Sequence, residues 1–299
     1  MKPLLENSTS RTLRSKPGFT LIELLIVIAI IAVLIALLLP GVSHCTFLAR
    51  QTKEISASRQ LMVAFTSYAD TFKGYVIPGY ATRPQVNGPM VVNDDEGNRV
   101  LNEEAQRYPW RLAPFIDYDF RGYYQDDKAL AELKAREAEY SAMGINYRYV
   151  ISLFPSLGMN TTFIGGTDRL NQFEPNYDNQ SGNVVVRRLD QCTRTSQVMV
   201  FASARAEEQP LLPGFGKPQG YFRIDPPYLF AGQARRWEAT YETDAAFPGL
   251  NSGFVALRKT KRAAAAYFDG HAETASYEKL CDMRMWCDKA DSATWGITQ

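Results

Sequence analysis

Apolar positions along this chain fall into three regimes. From Phe19 to Leu39 they run almost unbroken, with Glu23 the one charge in 21 residues, and Pro40 closes the run. As a helix rising about 1.5 Å per residue, this stretch would be about 31 Å long, close to a hydrocarbon core of about 30 Å. From Pro40 to about residue 73 the pattern turns amphipathic. Leu61, Phe65, Tyr68 and Phe72 fall at i, i+4, i+7 and i+11, and Leu48 and Ile55 roughly continue the stripe upstream. Arg50, Lys53, Glu54, Arg59, Asp70 and Lys73 lie opposite. Gly74 suits a helix C-terminus and Pro78 follows. The spacing predicts one long helix from Phe19 to about residue 73, its second half burying the aromatic stripe against a sheet.

Beyond residue 74 helical and extended patterns mix. Val91 to Leu101 encloses Asn93-Asp94-Asp95-Glu96-Gly97 and predicts a hairpin with an acidic turn. Residues 127–142 are rich in helix formers and predict a short exposed helix. Segments 184–186, 197–201 and 264–268 read as strands, and the Pro-, Gly- and aromatic-rich 205–250 as a long surface loop. The fold class is α+β: a long N-terminal α-helix, with a membrane half and an amphipathic half, packed on an antiparallel β-sheet head.

Composition narrows the class. With 45% apolar, 22% charged and 12% aromatic residues, the 299-residue chain is neither a disordered tail nor a collagen-like fibre. The net charge of +1 is uneven. Residues 1–18 carry Lys2, Arg11, Arg14 and Lys16 against Glu6, leaving 29 basic and 31 acidic side chains for the rest. Cations before the apolar run and a weakly acidic bulk after it place the N-terminus inside and the head outside. The balance also argues against a nucleic-acid partner, which leaves a basic stripe. A cleaved secretory signal fits poorly, because the run is too long and Leu-Leu-Leu-Pro-Gly-Val offers no small-x-small site. A lipoprotein signal needs a small residue before its cysteine, and His44 precedes Cys45. A carboxylate inside a membrane helix is costly and ordinarily has a partner and a purpose, which directs attention to Glu23.

Lys16-Pro17-Gly18-Phe19-Thr20-Leu21-Ile22-Glu23-Leu24, with Pro40 at the place of a helix kink, resembles the cleavage and methylation motif of type IV prepilins and type II secretion pseudopilins. The resemblance implies cleavage between Gly18 and Phe19 by a membrane prepilin peptidase, then N-methylation of Phe19. It also implies that Glu23 meets the amino group of a neighbouring subunit's first residue in an assembly. The chemistry is consistent with that role. Cutting after Gly18 removes most of the leader's positive charge and creates an ammonium at Phe19, one helical turn from Glu23. Such opposite charges relieve each other's desolvation where the geometry lets them meet.

Three downstream segments resemble a prepilin-like family with a large α+β head. These are Pro109-Trp110-Arg111 with Pro114-Phe115, Ser156-Leu157-Gly158-Met159-Asn160, and Tyr267-Phe268-Asp269-Gly270-His271. That family's signature has a histidine ten positions before the aspartate, where this chain has Lys259, so a ligand role for the histidine does not carry over. The hairpin reading does, because Asp-Gly is a strong turn dipeptide by itself.

Catalytic and metal-binding patterns are weak. The two histidines are His44, in the anchor helix, and His271, after the Asp-Gly turn. No Gly-x-Ser-x-Gly elbow exists, and Pro213-Gly214-Phe215-Gly216-Lys217-Pro218 lacks the spacing of a phosphate loop. Some pseudopilin heads bind calcium through loop carboxylates, but Asn93–Gly97 does not fit the EF-hand loop and reads rather as a solvated acidic turn. Of the four cysteines, Cys45 lies just past the span, and Cys281 and Cys287 form the candidate disulfide that some pilins use to close a C-terminal loop. Residues 277–286 look helical, so that bridge requires the helix to end before Cys287. Too few cysteines and histidines remain for a zinc site.

The chain thus divides into a cleaved leader (1–18), a transmembrane helix (19–39), the amphipathic half of that helix (40–73) and a head (74–299). The expected protein is a single-pass subunit of the cytoplasmic membrane with its head in the periplasm or on a surface filament. Its expected partners are prepilin peptidase, other pilin or pseudopilin subunits and the membrane; no catalytic activity, cofactor or metal is expected. The alternative is a singly anchored binding module, an adhesin or tip protein that uses the prepilin anchor to display its head.

Overall fold

The computed structural model describes residues 20–124, 130–131, 134–207, 220–258 and 260–298, with backbone alone for 37–47 and 122. The leader, Gly18, Phe19 and Lys259 lie outside the described residues, as do the first residues of the helix expected at 127–142. Two compact units result, Met1–Thr46 and Phe47–Gln299. Helix α1 runs Leu21–Thr71, and Pro40 falls inside it.

In the first unit the apolar side chains of α1 from Leu21 to Ile35 all stand exposed, as a helix without polar faces must when it has no partner. Among the described residues no helix is long and apolar enough to cross a membrane. The described side chains of the run end at residue 36.

In the second unit the later half of α1 buries Leu61, Met62, Phe65, Tyr68 and Ala69. Phe65 sits at its centre, edge-on to Phe201 (6.1 Å between ring centroids) and Phe268 (5.8 Å) of the sheet. The stripe shifts at both ends from the expected one: Leu48 is 45% and Phe72 49% exposed. Glu54, expected on the wet face, is 1% exposed. It lies one turn above Ser58 and in line with Leu61 and Phe65, so the buried face continues upstream through a carboxylate. Arg258 neutralises that carboxylate, its Nη2 at 2.7 Å and Nε at 3.1 Å from Oε1.

The sheet has four antiparallel strands in the order β1 (Leu157–Met159), β2 (Met199–Ser203), β3 (Arg262–Tyr267) and β4 (Ala272–Ser276). Two of the strand expectations hold, β2 lying two residues later than 197–201 and β3 starting two residues and ending one residue before 264–268. Segment 184–186 instead makes a single parallel bridge, Val186 to Ile164. Both faces of β2 and β3 are covered. Leu157, Met159, Val200, Phe201 and Ala266 pack with α1 and residues 108–154. Met199, Ala202, Ala263, Ala265 and Tyr267 pack on the opposite side against Ile224, Trp237 and Trp286. Strands buried on both faces read as continuous apolar runs, which is the pattern of 197–201 and 264–268. The Asp-Gly dipeptide closes the β3–β4 hairpin as expected: Gly270 adopts φ +91°, and Tyr267 N donates to His271 O at 2.9 Å.

Segment 205–250 is not the expected surface loop. Its described residues, 205–207 and 220–250, bury Ile224 and Trp237 over the second face of the sheet and Phe222 against the first. The irregular backbone is satisfied locally: Met159 N donates to Phe222 O (3.0 Å) and Ile224 N to Met159 O (2.9 Å), so this coil also caps the β1 edge. Gly253 makes the approach feasible, because a Cβ there would meet Asp225 O at 2.0 Å. The acidic hairpin forms, with an Asn93–Arg99 bridge and Val100 N donating to Val92 O at 2.8 Å. The described part of the 127–142 helix includes Glu137–Ala142.

Candidate functional site

Helix α1 begins with a reciprocal cap. Thr20 donates from its backbone N (2.8 Å) and its Oγ1 (2.7 Å) to Glu23 Oε2, and Glu23 N donates back to Thr20 Oγ1 at 3.3 Å. Thr-x-x-Glu is the capping-box pattern, in which two side chains satisfy orphan donors of the first turn. The carboxylate also lies at the positive end of the helix dipole. Glu23 is therefore held at the first turn against Thr20, and its second oxygen has no described partner. Thr20 thus joins the site residues, and the three-residue spacing of its hydroxyl from the Glu23 carboxylate is legible in the sequence. Gly18 and Phe19 precede this turn and lie outside the described residues; the side chain of Pro40 does too.

The remaining candidates sit in the head. Cys281 and Cys287 are not bridged: both are free thiols, as is Cys192. The helix Tyr277–Leu280 does stop in time, with Cys281 at its C-terminus. However, Cys281 Sγ then faces Arg235 Nη1 at 4.0 Å, while Cys287 Sγ turns into the core toward Val184 O at 3.7 Å. Burial pushes the Cys287 thiol up to about 12. Burial, with Asp288 beside it, pushes Cys192 up to about 12 as well. Burial raises the Cys281 thiol as well, but of these three it alone is partly exposed, and reactivity follows access as well as thiolate fraction. At pH 8 an alkylating reagent is therefore expected to label Cys281 in the native head, and Cys192 and Cys287 only after denaturation. Peptide mapping of labelled protein checks this, and a Cys281–Cys287 disulfide peptide would contradict it.

Other polar candidates are committed to structure. Asp94 Oδ1 accepts from Glu96 N (3.1 Å) and Asn98 N (2.7 Å), and its Oδ2 from Arg148 Nη1 (2.8 Å), so this carboxylate organises the acidic hairpin. Among the described residues no group of three or more His, Cys, Asp or Glu could hold a metal ion. Asp269 Oδ1 accepts from His271 N (3.1 Å) and pairs with its Nδ1 (2.6 Å), while the imidazole stacks on Tyr267 at 4.3 Å. Asn160 is fully buried and its Nδ2 donates to Met199 O (3.0 Å) and Trp286 O (2.8 Å). Arg111 donates to Pro78 O (2.6 Å) and Gln106 O (2.8 Å), and burial lowers its pKa to about 10. These segments are internal braces of the head.

A family model for the prokaryotic N-terminal methylation motif matches residues 13–39. It covers Gly18, Phe19, Glu23 and the whole apolar run, and it supports a type IV pilin- or pseudopilin-like protein, a prepilin-like subunit processed by a prepilin peptidase; the α+β architecture of the head is consistent with this. No curated protein and no solved structure matches the chain.

Proposed function

We propose that this protein is a subunit of a type IV pilus or type II secretion pseudopilus. It is cut between Gly18 and Phe19, methylated on the new amino group and held in the cytoplasmic membrane by residues 19–39, with its head outside. It then joins other pilin subunits through Glu23. The observation that carries this reading is the matched motif at 13–39, ending in an apolar helical surface that is exposed throughout its described length. Such a surface suits two environments in turn, the bilayer before assembly and a helix bundle after it. The capped first turn supports the role of Glu23, because it keeps the carboxylate next to the amino group that cleavage would create.

In this reading the chemistry is done to the protein by the peptidase, and the head is not an enzyme. Asp269 and His271, the nearest approach to a catalytic pair, serve the hairpin turn. Mass spectrometry of protein from an envelope fraction is expected to find N-methyl-Phe19 as the first residue. An intact Met1, or a start beyond residue 39, would overturn the reading.

A further inference from the structure

The head carries an open cleft of about 600 Å³ between the chain at 80–85 and the loop at 168–174. Small-molecule sites typically measure about 300–1,000 Å³. The two walls are locked together by backbone: Tyr80 N donates to Gly166 O and Asp168 N to Tyr80 O, both at 3.0 Å. Each wall also has a buried amide behind it. Gln106 Nε2 donates to Ala81 O at 2.7 Å, and Ala81 N donates back to Gln106 O at 3.0 Å. Gln172, fully buried, accepts from Thr167 N at 2.6 Å and donates to Thr162 O at 2.8 Å. The cleft is pre-formed, so little ordering opposes binding.

The lining is chemically mixed. Tyr80 and Phe173 are partly buried and offer aromatic surface. Among the described residues the side chains of Asp168 and Asn171 make no hydrogen bond or ion pair, although both line the cleft. Gln85 has its Oε1 taken by Thr82 N (2.8 Å), which leaves its amide hydrogens as free donors. Arg83 stands exposed, 3.8 Å from a Glu103 that is already paired with Arg107 at 2.9 Å. Acceptors, donors and aromatic faces side by side ask for a ligand that both donates and accepts and has an apolar face.

A pyranose ring meets all three demands, its hydroxyls bonding in both directions and its C–H face lying on an aromatic ring. An anionic ligand would face the carboxylates of Glu103, Asp168 and Glu174. A wholly apolar one would leave Asp168 and Asn171 desolvated without partners. We propose that this cleft is a binding site for a neutral glycan, with Asp168 and Asn171 bonding its hydroxyls and Tyr80 or Phe173 stacking on a sugar face. The proposal does not depend on assembly, since the cleft lies wholly within one head.

The test uses full-length protein in a detergent without a sugar headgroup. Cellotetraose, maltotetraose and the β-1,4-linked tetramer of N-acetylglucosamine are titrated in turn, read by calorimetry and saturation-transfer NMR. At least one should bind. Asp168→Ala and Asn171→Gly, the glycine keeping the left-handed backbone of φ +53° at that position and neither change removing a hydrogen bond of the fold, should each weaken that binding by about tenfold with the melting temperature nearly unchanged. Tyr80→Phe, which keeps the ring, should retain it. Failure of all three sugars to bind at millimolar concentration overturns the proposal. So does sugar binding that is indifferent to Asp168 and Asn171, which places the sugar elsewhere. Asp168-dependent binding of a lysine tripeptide in the absence of any sugar binding also overturns it, since the cleft would then select cations.

Discussion

Glu23→Val is expected to separate membrane insertion from assembly. Replacing the one charge of the apolar run with an apolar side chain makes insertion as favourable as in the native chain or more so. Cleavage after Gly18 leaves a Phe19 ammonium, which in a packed helix bundle then has no carboxylate to meet. Losing one partner of a pair inside a low-dielectric assembly lowers incorporation by roughly a hundredfold or more. The variant should therefore accumulate in the inner membrane, cleaved and folded, and be missing from sheared filaments or isolated envelope complexes. Glu23→Asp should fall between, because the shorter side chain keeps the charge but not the reach. Quantitative immunoblotting of membrane and assembly fractions checks both. If Glu23→Val enters assemblies as the native chain does, the carboxylate is no assembly contact, and the prepilin motif merely delivers a lone head to the periplasm.

Glu54→Ala should destabilise the head severely. Glu54 is 1% and Arg258 16% exposed, and the guanidinium reaches both carboxylate oxygens, Nε lying 3.1 Å from Oε1 and 3.3 Å from Oε2. Removing the carboxylate leaves Arg258 partly desolvated beside a cavity, at a cost of about 3–5 kcal/mol. For a unit of this size that lowers the melting temperature by roughly 6–20 °C. Glu54→Leu combined with Arg258→Met should recover most of the loss, since an apolar pair of similar volume needs no neutralisation. Thermal unfolding followed by near-ultraviolet circular dichroism decides it. A single variant within one degree of the native protein would mean that the pair is solvated in solution.

The parts of the fold that were legible in the sequence rest on local rules. The unbroken apolar run from Phe19, the stripe through Leu61, Phe65 and Tyr68, and the Asp269-Gly270 turn each depend on residues a few positions apart. Helical period, burial on one face and the backbone freedom of a single glycine settle them. The leader junction is local too, because a peptidase reads contiguous residues, and so the prepilin-like character could be inferred before any tertiary contact was known. The Thr20–Glu23 cap belongs with these, since it depends on a spacing of three residues.

Tertiary structure decided what depends on partners far along the chain. Glu54 looks like any exposed helix carboxylate until Arg258, some two hundred residues later, is folded against it. Residues 220–250 lack periodicity and so resemble loop, yet they form the cover of a sheet whose second face would otherwise lie bare. Cys281 and Cys287 are close in sequence, but one faces Arg235 and the other the core beside Val184, because the chain turns between them. The cleft joins residues 80–85 to 168–174 through backbone bonds of Tyr80, with a buried glutamine behind each wall that carries no motif. Local pattern thus carried the prepilin motif and the kind of fold. Which polar groups are buried, paired or left facing a cleft was decided only by long-range packing, since a side chain's partner in a core is chosen by proximity in space and leaves no fixed spacing along the chain.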